Sequence, residues 1–303
     1  VSLDARSDAT IWALTIAGSL SVGYGKSQFG GALAGAVAGS VNSVRNTVEA
    51  GISDSVVVGS AGLSLSATDG TAIIANAVGG SLSVGAGKTG LAMAVGGAFA
   101  INAIGNTVRS YVDGSDLDVN GTLAIASASD SSIWGLAVGA AVGVGVGSAG
   151  GTGASLSIGA SVARNEIGNS TESYIKDSGS ILTGGGDVTI GAVDSAAIKT
   201  YAVAASVSVG VGKGNAGVAL SGGGSVAENI ISDTTNAFID NSSLGTALDK
   251  VGSVNLDAVS SSEILAIVPA VAASVAYGGK AGVGAAIGVA IARNIIGGQE
   301  SNV

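Results

Sequence analysis

The sequence predicts an all-β protein in which about five units of 60–65 residues stack as a β-solenoid. One motif, AFAINAIGNTVRSYV at 98–112, has a counterpart in every part of the chain, and the central asparagines are 60, 63, 64 and 65 residues apart. Larger apolar residues alternate with small ones, which is the period of a β-strand. The 52 glycines interrupt the apolar stretches, and each would cost a helix about 1 kcal/mol. The five asparagines are Asn42, Asn102, Asn165, Asn229 and Asn294.

The units form one continuous array rather than separate domains, because stacked repeats share a core with their neighbours. The predicted boundaries are about 2–62, 63–122, 123–187, 188–253 and 254–303, and the last unit is truncated. Both termini fall inside a unit, so we expect the chain to be a segment of a longer protein.

Each unit is predicted to have four parts. A short alternating strand such as 63–67 is followed by a turn of serine and aspartate. A long strand with almost no charge, such as 73–85, leads to a glycine-rich tip, and a similar strand returns from it at 91–102. Two alternating runs joined by a glycine turn predict a β-hairpin. Because neither face of these arms is polar, the pattern indicates burial on both faces.

The fourth part is a polar strand that follows each asparagine motif. If equivalent strands of successive units lie side by side, equivalent residues form rows. The asparagines are then expected to form a structural ladder in which each amide hydrogen-bonds the next. Tyr111, Tyr174 and Phe238 form an aromatic row and are the candidate contact residues for a ligand. The residues that follow them form an aliphatic row on the opposite, inward face: Val112, Ile175 and Ile239, with Ile52 in the first unit.

Composition excludes several classes of function. The net charge is −9 and there is no histidine or cysteine. An acidic chain is a poor partner for nucleic acid, and disulfides and thiolate metal sites are impossible. Only carboxylates, Lys, Arg and Tyr remain for acid–base chemistry, and they lie mostly at turns, so no enzyme and no cofactor are expected. The apolar stretch 264–298 has the length of a membrane span, but its glycines and period-two alternation favour strands, so no span is expected.

Two glycine-rich motifs resemble ligand sites only in part. GAGKTG at 85–90 lacks the first glycine of a phosphate-binding loop, because Leu82 stands at that position. The tip lysines are instead predicted to discourage edge pairing. TGGGDVTIG at 183–191 is similar to a calcium-binding nonapeptide, but it occurs once rather than in tandem. Weak calcium binding remains open at the turn aspartates Asp113, Asp116, Asp177 and Asp240.

The asparagine motifs, together with the strand–turn segments LAIASASDSS at 123–132 and VTIGAVDSAA at 188–197, resemble the repeat regions of giant bacterial secreted proteins. These are the adhesin-like and haemagglutinin-like exoproteins. The resemblance implies a bacterial protein that is secreted or held at the cell surface. It also implies a structural stalk or fibre that supports adhesion or biofilm matrix, and it carries over no active-site residue.

Two alternative functions remain open at this stage. In the first, the chain is a subunit that polymerises end to end into a filament. In the second, it is an adhesin module that binds a glycan or a surface. The expected partners are neighbouring units of the same parent chain and further copies that associate into filaments or bundles.

Overall fold

The protein is all-β, and the computed structural model describes residues 1–59 and 61–297. These residues form sixteen strands and no helix. The strands are β1 (Ser2–Tyr24), β2 (Phe29–Val44), β3 (Thr47–Ser53), β4 (Val56–Gly59), β5 (Leu63–Ile104), β6 (Thr107–Asp113), β7 (Asp116–Val119), β8 (Leu123–Ile167), β9 (Ser170–Lys176), β10 (Ile181–Leu182), β11 (Val188–Gly212), β12 (Ala216–Ile231), β13 (Thr234–Asp240), β14 (Val254–Ile267), β15 (Ala270–Gly278) and β16 (Ala281–Ile296).

All strand pairs among the described residues are parallel. Each pair joins residues that are equivalent when the units of the sequence are aligned with one another. Leu63, for example, pairs with Leu123, and Leu123 pairs with Val188. The largest sheet has nine strands, with β1, β5, β8, β11 and β14 in that order and β2, β12, β15 and β16 beside them. A second sheet has the order β13-β9-β6-β3, and a third has the order β10-β7-β4.

The nine-stranded sheet is folded over itself at the glycine-rich tips. We call the strand segments before the tips the first arms and those after the tips the second arms. In β5 the first arm packs on the second through Ile73 against Ile104 and Ala77 against Ala98. The first arms are 2–24, 63–87, 123–147, 188–212 and 254–278, and the second arms are 29–44, 89–104, 152–167, 216–231 and 281–296.

The predicted β-hairpin is therefore wrong. Within the described residues, the backbone groups of each arm bond to the equivalent arm of the neighbouring segment, not to the other arm of the same segment. The two arms of one segment meet only through their inward faces, which makes a β-arch. Alternating residues cannot distinguish the two arrangements, because both place every second side chain on one face.

The interior narrows from the base of the arch to its tip. At the wide end, Leu63 and Leu65 pack against Val112 and Leu117. Alanines replace these larger side chains farther along, and at Gly79 the two arms are almost in backbone contact. A Cβ atom at Gly79 would lie 1.8 Å from the carbonyl oxygen of Gly97. The arms thus approach more closely than the usual distance of about 10 Å between packed sheets.

The outward faces of the arms are exposed, so the expectation of burial on both faces is also wrong for this chain. Val142 on the first arm of β8 is 36% exposed, and Val162 on its second arm is 44% exposed. Only the inward face lies in the core. The apolar outward residues therefore cover a large solvent-facing surface on each side of the arch.

Candidate functional site

The five asparagines of the recurring motif lie in one row near the base of the arch. Asn102 Nδ2 donates to Asn165 Oδ1 at 2.8 Å, and Asn165 Nδ2 donates to Asn229 Oδ1 at 2.9 Å. Asn42 extends the row at one end and Asn294 at the other, each through a bond of 2.8 Å. The three central asparagines are at most 1% exposed. Each amide thus satisfies its neighbour in a dry interior, where an unpaired polar group is costly.

A second polar row lies four residues after the first and was missed from the sequence. Its members are Asn46, Asn106, Asn169 and Asp233. Here the backbone N–H of one residue donates to the side-chain oxygen of the next, at 2.9, 3.0 and 2.7 Å. The recurring second asparagine of the motif was the available signal.

Two asparagines of the second row donate hydrogen bonds to a buried carboxylate. Asp69 is 3% exposed and accepts hydrogen bonds from Asn106 Nδ2 at 2.6 Å and Thr71 Oγ1 at 2.7 Å. Asn46 Nδ2 donates to its other oxygen at 3.1 Å. Several neutral donors thus satisfy both oxygens of one buried carboxyl group, which is the condition under which such a polar group is tolerated in a protein interior.

Asp233 ends the second row, is partly buried and lies beside the buried acid Asp194. Its pKa is raised from 3.8 to about 7, mainly because burial disfavours the charged form and also because Asp194 lies beside it. The hydrogen bond from the Asn169 backbone N–H acts in the opposite direction. Asp194 is fully buried, and one of its oxygens accepts a bond of 3.0 Å from Thr171 Oγ1.

Asp233→Asn is expected to stabilise the protein at pH 8 by about 2 kcal/mol, after allowance for the partial exposure of the carboxyl. Because the raised pKa favours protonation in the folded state, stability is lost as the pH rises from about 4 to about 7. An amide removes this loss and restores the residue type of the row. Urea unfolding at pH 4.5 and pH 8 measures the effect.

Asp240→Asn, at the exposed end of the strand that follows Asp233, is the matched control. It is expected to leave the difference between the two pH values unchanged. An equal effect of both substitutions would contradict the role given to burial and Asp194.

The three aromatic candidate residues stack on the outer face of the four-stranded sheet. The ring centroids of Tyr111 and Tyr174 are 5.3 Å apart, and those of Tyr174 and Phe238 are 5.0 Å apart. The planes are within 10° of parallel. Burial, with a smaller contribution from Asp113, raises the pKa of the Tyr174 hydroxyl. The faces between neighbouring rings are covered, so the surface offers a ligand mainly ring edges and hydroxyl groups.

Ion pairs flank these rows at the surface. Arg109 lies between Glu172 at 2.9 Å and Glu49 at 3.6 Å. Glu228 lies between Arg164 at 3.4 Å and Arg293 at 2.9 Å. All are partly exposed, so each pair contributes only about 0.2–1 kcal/mol. Their alternating charges nevertheless favour one alignment of the strands over a slipped one.

The turn aspartates proposed for calcium lie in the outer turns, where the backbone N–H of Asp177 donates to the carbonyl oxygen of Asp240 at 3.1 Å. Asp177 adopts a positive φ of 48° and accepts a bond of 2.7 Å from Asn241 Nδ2. In the described ranges, no group of three or more His, Cys, Asp or Glu side chains is placed to hold a metal ion. The tip lysines Lys26, Lys88, Lys213 and Lys280 are exposed at the ends of the arches.

The comparisons with known proteins give no relative: no family model, no curated protein and no solved structure matches the chain. Over residues 1–59 and 61–297, no helix has the length and hydrophobicity needed to cross a lipid bilayer.

Proposed function

We propose that the chain is a structural segment of a bacterial surface or secreted protein, built as a β-solenoid stalk or fibre. The observation that carries the proposal is the parallel, in-register pairing of equivalent strands. Ser2 pairs with Ser64, Leu63 with Leu123, and Val188 with Val254. Each segment of about 62 residues thus forms one layer, and its polar rows continue through the layers.

The two ends of the array support continuation beyond this chain. Among residues 1–59 and 61–297, β1 and β2 bond only on the side of β5, and β14 and β16 bond only on the side of β11 and β12. Their other backbone groups are free to accept another layer of the same kind, because unpaired strand edges template further strands. A longer parent chain, or another copy of this one, would supply that layer.

Each layer is thin along the stack and long across it. One layer advances the stack by about 4.8 Å, whereas an arm of 25 residues spans about 80 Å across it. Each added unit therefore adds a small length along the stack and a much larger area on its sides. We infer that it serves as a wide, stiff body in a cell-surface or matrix fibre rather than as a thin tether.

The proposal predicts that length depends on the number of units. A chain that carries ten additional tandem copies of residues 63–187, or twenty layers, is expected to be longer by about 100 Å at constant width. Negative-stain electron microscopy measures both dimensions. A matched chain with ten copies of 63–151, which ends partway through a layer, is expected to lose the regular stack. Beads on a string, or growth in width, would contradict the solenoid.

The filament alternative is tested with the original chain in the same microscope. End-to-end polymerisation predicts filaments whose length grows with protein concentration. Particles of one fixed size would favour a segment of a single long chain.

The adhesin alternative predicts glycan binding that Tyr111→Ala and Tyr174→Ala abolish. The ring edges and hydroxyl groups of the stacked aromatic row would be the binding surface.

A further inference from the structure

The outward face of the first arms carries a broad apolar surface that the fold leaves uncovered. We define the first-arm face as the outward positions aligned with residues 14–24 of β1. Its central strand contributes Leu136, Val138, Ala140, Val142, Val144 and Val146, and the aligned positions of the other four strands carry no charged residue. In β1 alone, Leu14, Ile16 and Leu20 are each at least 67% exposed. Contiguous apolar surfaces of this size mark interaction sites.

The dimensions of the first-arm face match those of a stable interface. Five strands at about 4.8 Å and ten residues at about 3.3 Å give roughly 800 Å², which is the area that each partner buries in a standard protein–protein complex. Lipid is a poorer occupant, because the outer strands of the array carry unpaired backbone groups that hydrocarbon cannot satisfy.

A shallow groove crosses the middle of this face along the stacking direction. It follows the small residues Gly18, Gly80, Ala140 and Ala205, which are aligned by strand pairing, and it ends at the fifth strand, where the exposed Val271 holds the aligned position. Ridges of larger apolar residues, such as Leu20 and Leu82, border it. Small side chains along this line leave room for two copies of the face to meet about an axis that follows the groove.

The charges at the two ends of the face are opposite. Lys26, Lys88, Lys213 and Lys280 stand at the tips, whereas Asp4, Asp8, Asp130, Asp257 and Glu263 stand on the outward side near the base, with Arg6 and Lys199 among them. Asp8 and Lys26 lie 10 and 8 positions from Gly18, on either side of the groove. The opposite outer face lacks this asymmetry, since Arg164, Glu228 and Arg293 alternate at its base.

We propose that the first-arm face pairs with the same face of a second copy about a two-fold axis that follows the small-residue groove. The strands of the two copies then run antiparallel and the layers keep the same order. Lys280 of one copy opposes Glu263 of the other, and Lys26 lies within one outward position of Asp8, which also pairs with Arg6 at 2.9 Å. These attractive pairs outnumber the one repulsive approach, that of Lys213 to Lys199. A parallel arrangement would instead bring the lysine tips together, where like charges repel. This pairing extends the proposed function, because stacks of any length can associate along their whole side.

Two valines on one strand test which face is used. Val142→Lys on the first-arm face is expected to raise the dimer dissociation constant at least tenfold by sedimentation equilibrium. Val162→Lys, on the opposite face of β8 and similarly exposed, is expected to leave it unchanged. Both tryptophans, Trp12 and Trp134, are exposed on the outward side of the first arms. Their emission is expected to shift to shorter wavelength as the dimer forms. The reverse order of the two lysine variants would overturn the proposal.

Cross-linking tests the orientation, since the chain contains no cysteine. With a bismaleimide of about 10 Å reach, which matches the usual distance between packed sheets, Ala140→Cys on the axis is expected to link two copies. Ala128→Cys lies on the same outward side but far from the axis and is expected to stay unlinked. Ala160→Cys, on the opposite face, is the second control. Linkage of the Ala128→Cys variant would overturn the antiparallel pairing.

The remaining outcomes are also decisive. A monomer at all concentrations would overturn the dimer. Binding of the chain to anionic phospholipid vesicles, if Val142→Lys abolished it, would also overturn the dimer, because the first-arm face would then bind a membrane. Neither result affects the layered stack, because the length measurement on chains with added units tests it separately.

Discussion

Gly79→Ala is expected to destabilise the protein by about 3 kcal/mol or more, because overpacking against backbone cannot be relieved by a rotamer change. The added methyl group would lie 1.8 Å from the Gly97 carbonyl oxygen and 3.3 Å from the Ala38 nitrogen. The second arm would have to move away, and the neighbouring layers, which are bonded to it, would move as well. The midpoint of urea unfolding, followed by the far-ultraviolet circular dichroism of the strands, measures the loss.

Gly80 is the control for this substitution. It is the next residue of the same strand, but it points outward, and a Cβ atom there would meet nothing within 4 Å. Gly80→Ala is expected to be neutral or to stabilise by up to about 1 kcal/mol, because alanine restricts the unfolded chain more than glycine does. Equal losses at the two positions would show that glycine is needed for backbone freedom rather than for close packing of the arms.

Asn165→Ala is expected to cost about 3 kcal/mol, because it removes hydrogen bonds to buried partners on both sides of the row, although Thr200 Oγ1 still donates to Asn229 Oδ1. Asn102 Nδ2 would lose its acceptor, and Asn229 Oδ1 and Thr200 Oγ1 would lose a donor. Every layer of the stack contributes to the row, so the break interrupts it at its centre. Thermal or urea unfolding is again the measurement.

Asn42→Ala tests the same chemistry at the end of the row. Asn42 is only partly buried and makes a single bond within the row, to Asn102. Water can replace the lost partner there, so the expected cost is about 1 kcal/mol. A cost at Asn165 no larger than that at Asn42 would contradict the importance of the buried amides.

The all-β fold was predictable because its signals are local and repeated. Alternation over stretches such as 63–67 identifies strands, and the recurring asparagines align equivalent positions in the chain. That alignment was enough to expect the row through Asn102 and Asn165, as well as the stacking of Tyr111 on Tyr174. Both rows follow from the residue spacing once equivalent strands pair side by side.

The β-arch was not predictable from the same signals. Pairing partners depend on which backbone groups meet, and Leu91 or Val95 would alternate identically in a hairpin. The row through Asn106 was missed for a different reason. Its acceptors bind backbone N–H groups, and aspartate replaces asparagine at position 233, so the column is less uniform than the one through Asn102. Exposure of the outward arm faces was not predictable either, because the alternation around Val142 is the same whether or not another layer covers that face.

The close approach of the two arms gives the molecule a distinctive diffraction signature. Strands that run across the stack resemble the arrangement in cross-β fibrils, so oriented specimens should give a meridional reflection near 4.8 Å. The equatorial reflection of ordinary paired sheets near 10 Å should move to a smaller spacing, since Gly79 and its counterparts leave no room for side chains between the arms. Fibre diffraction from oriented specimens of the purified chain would thus recognise this architecture.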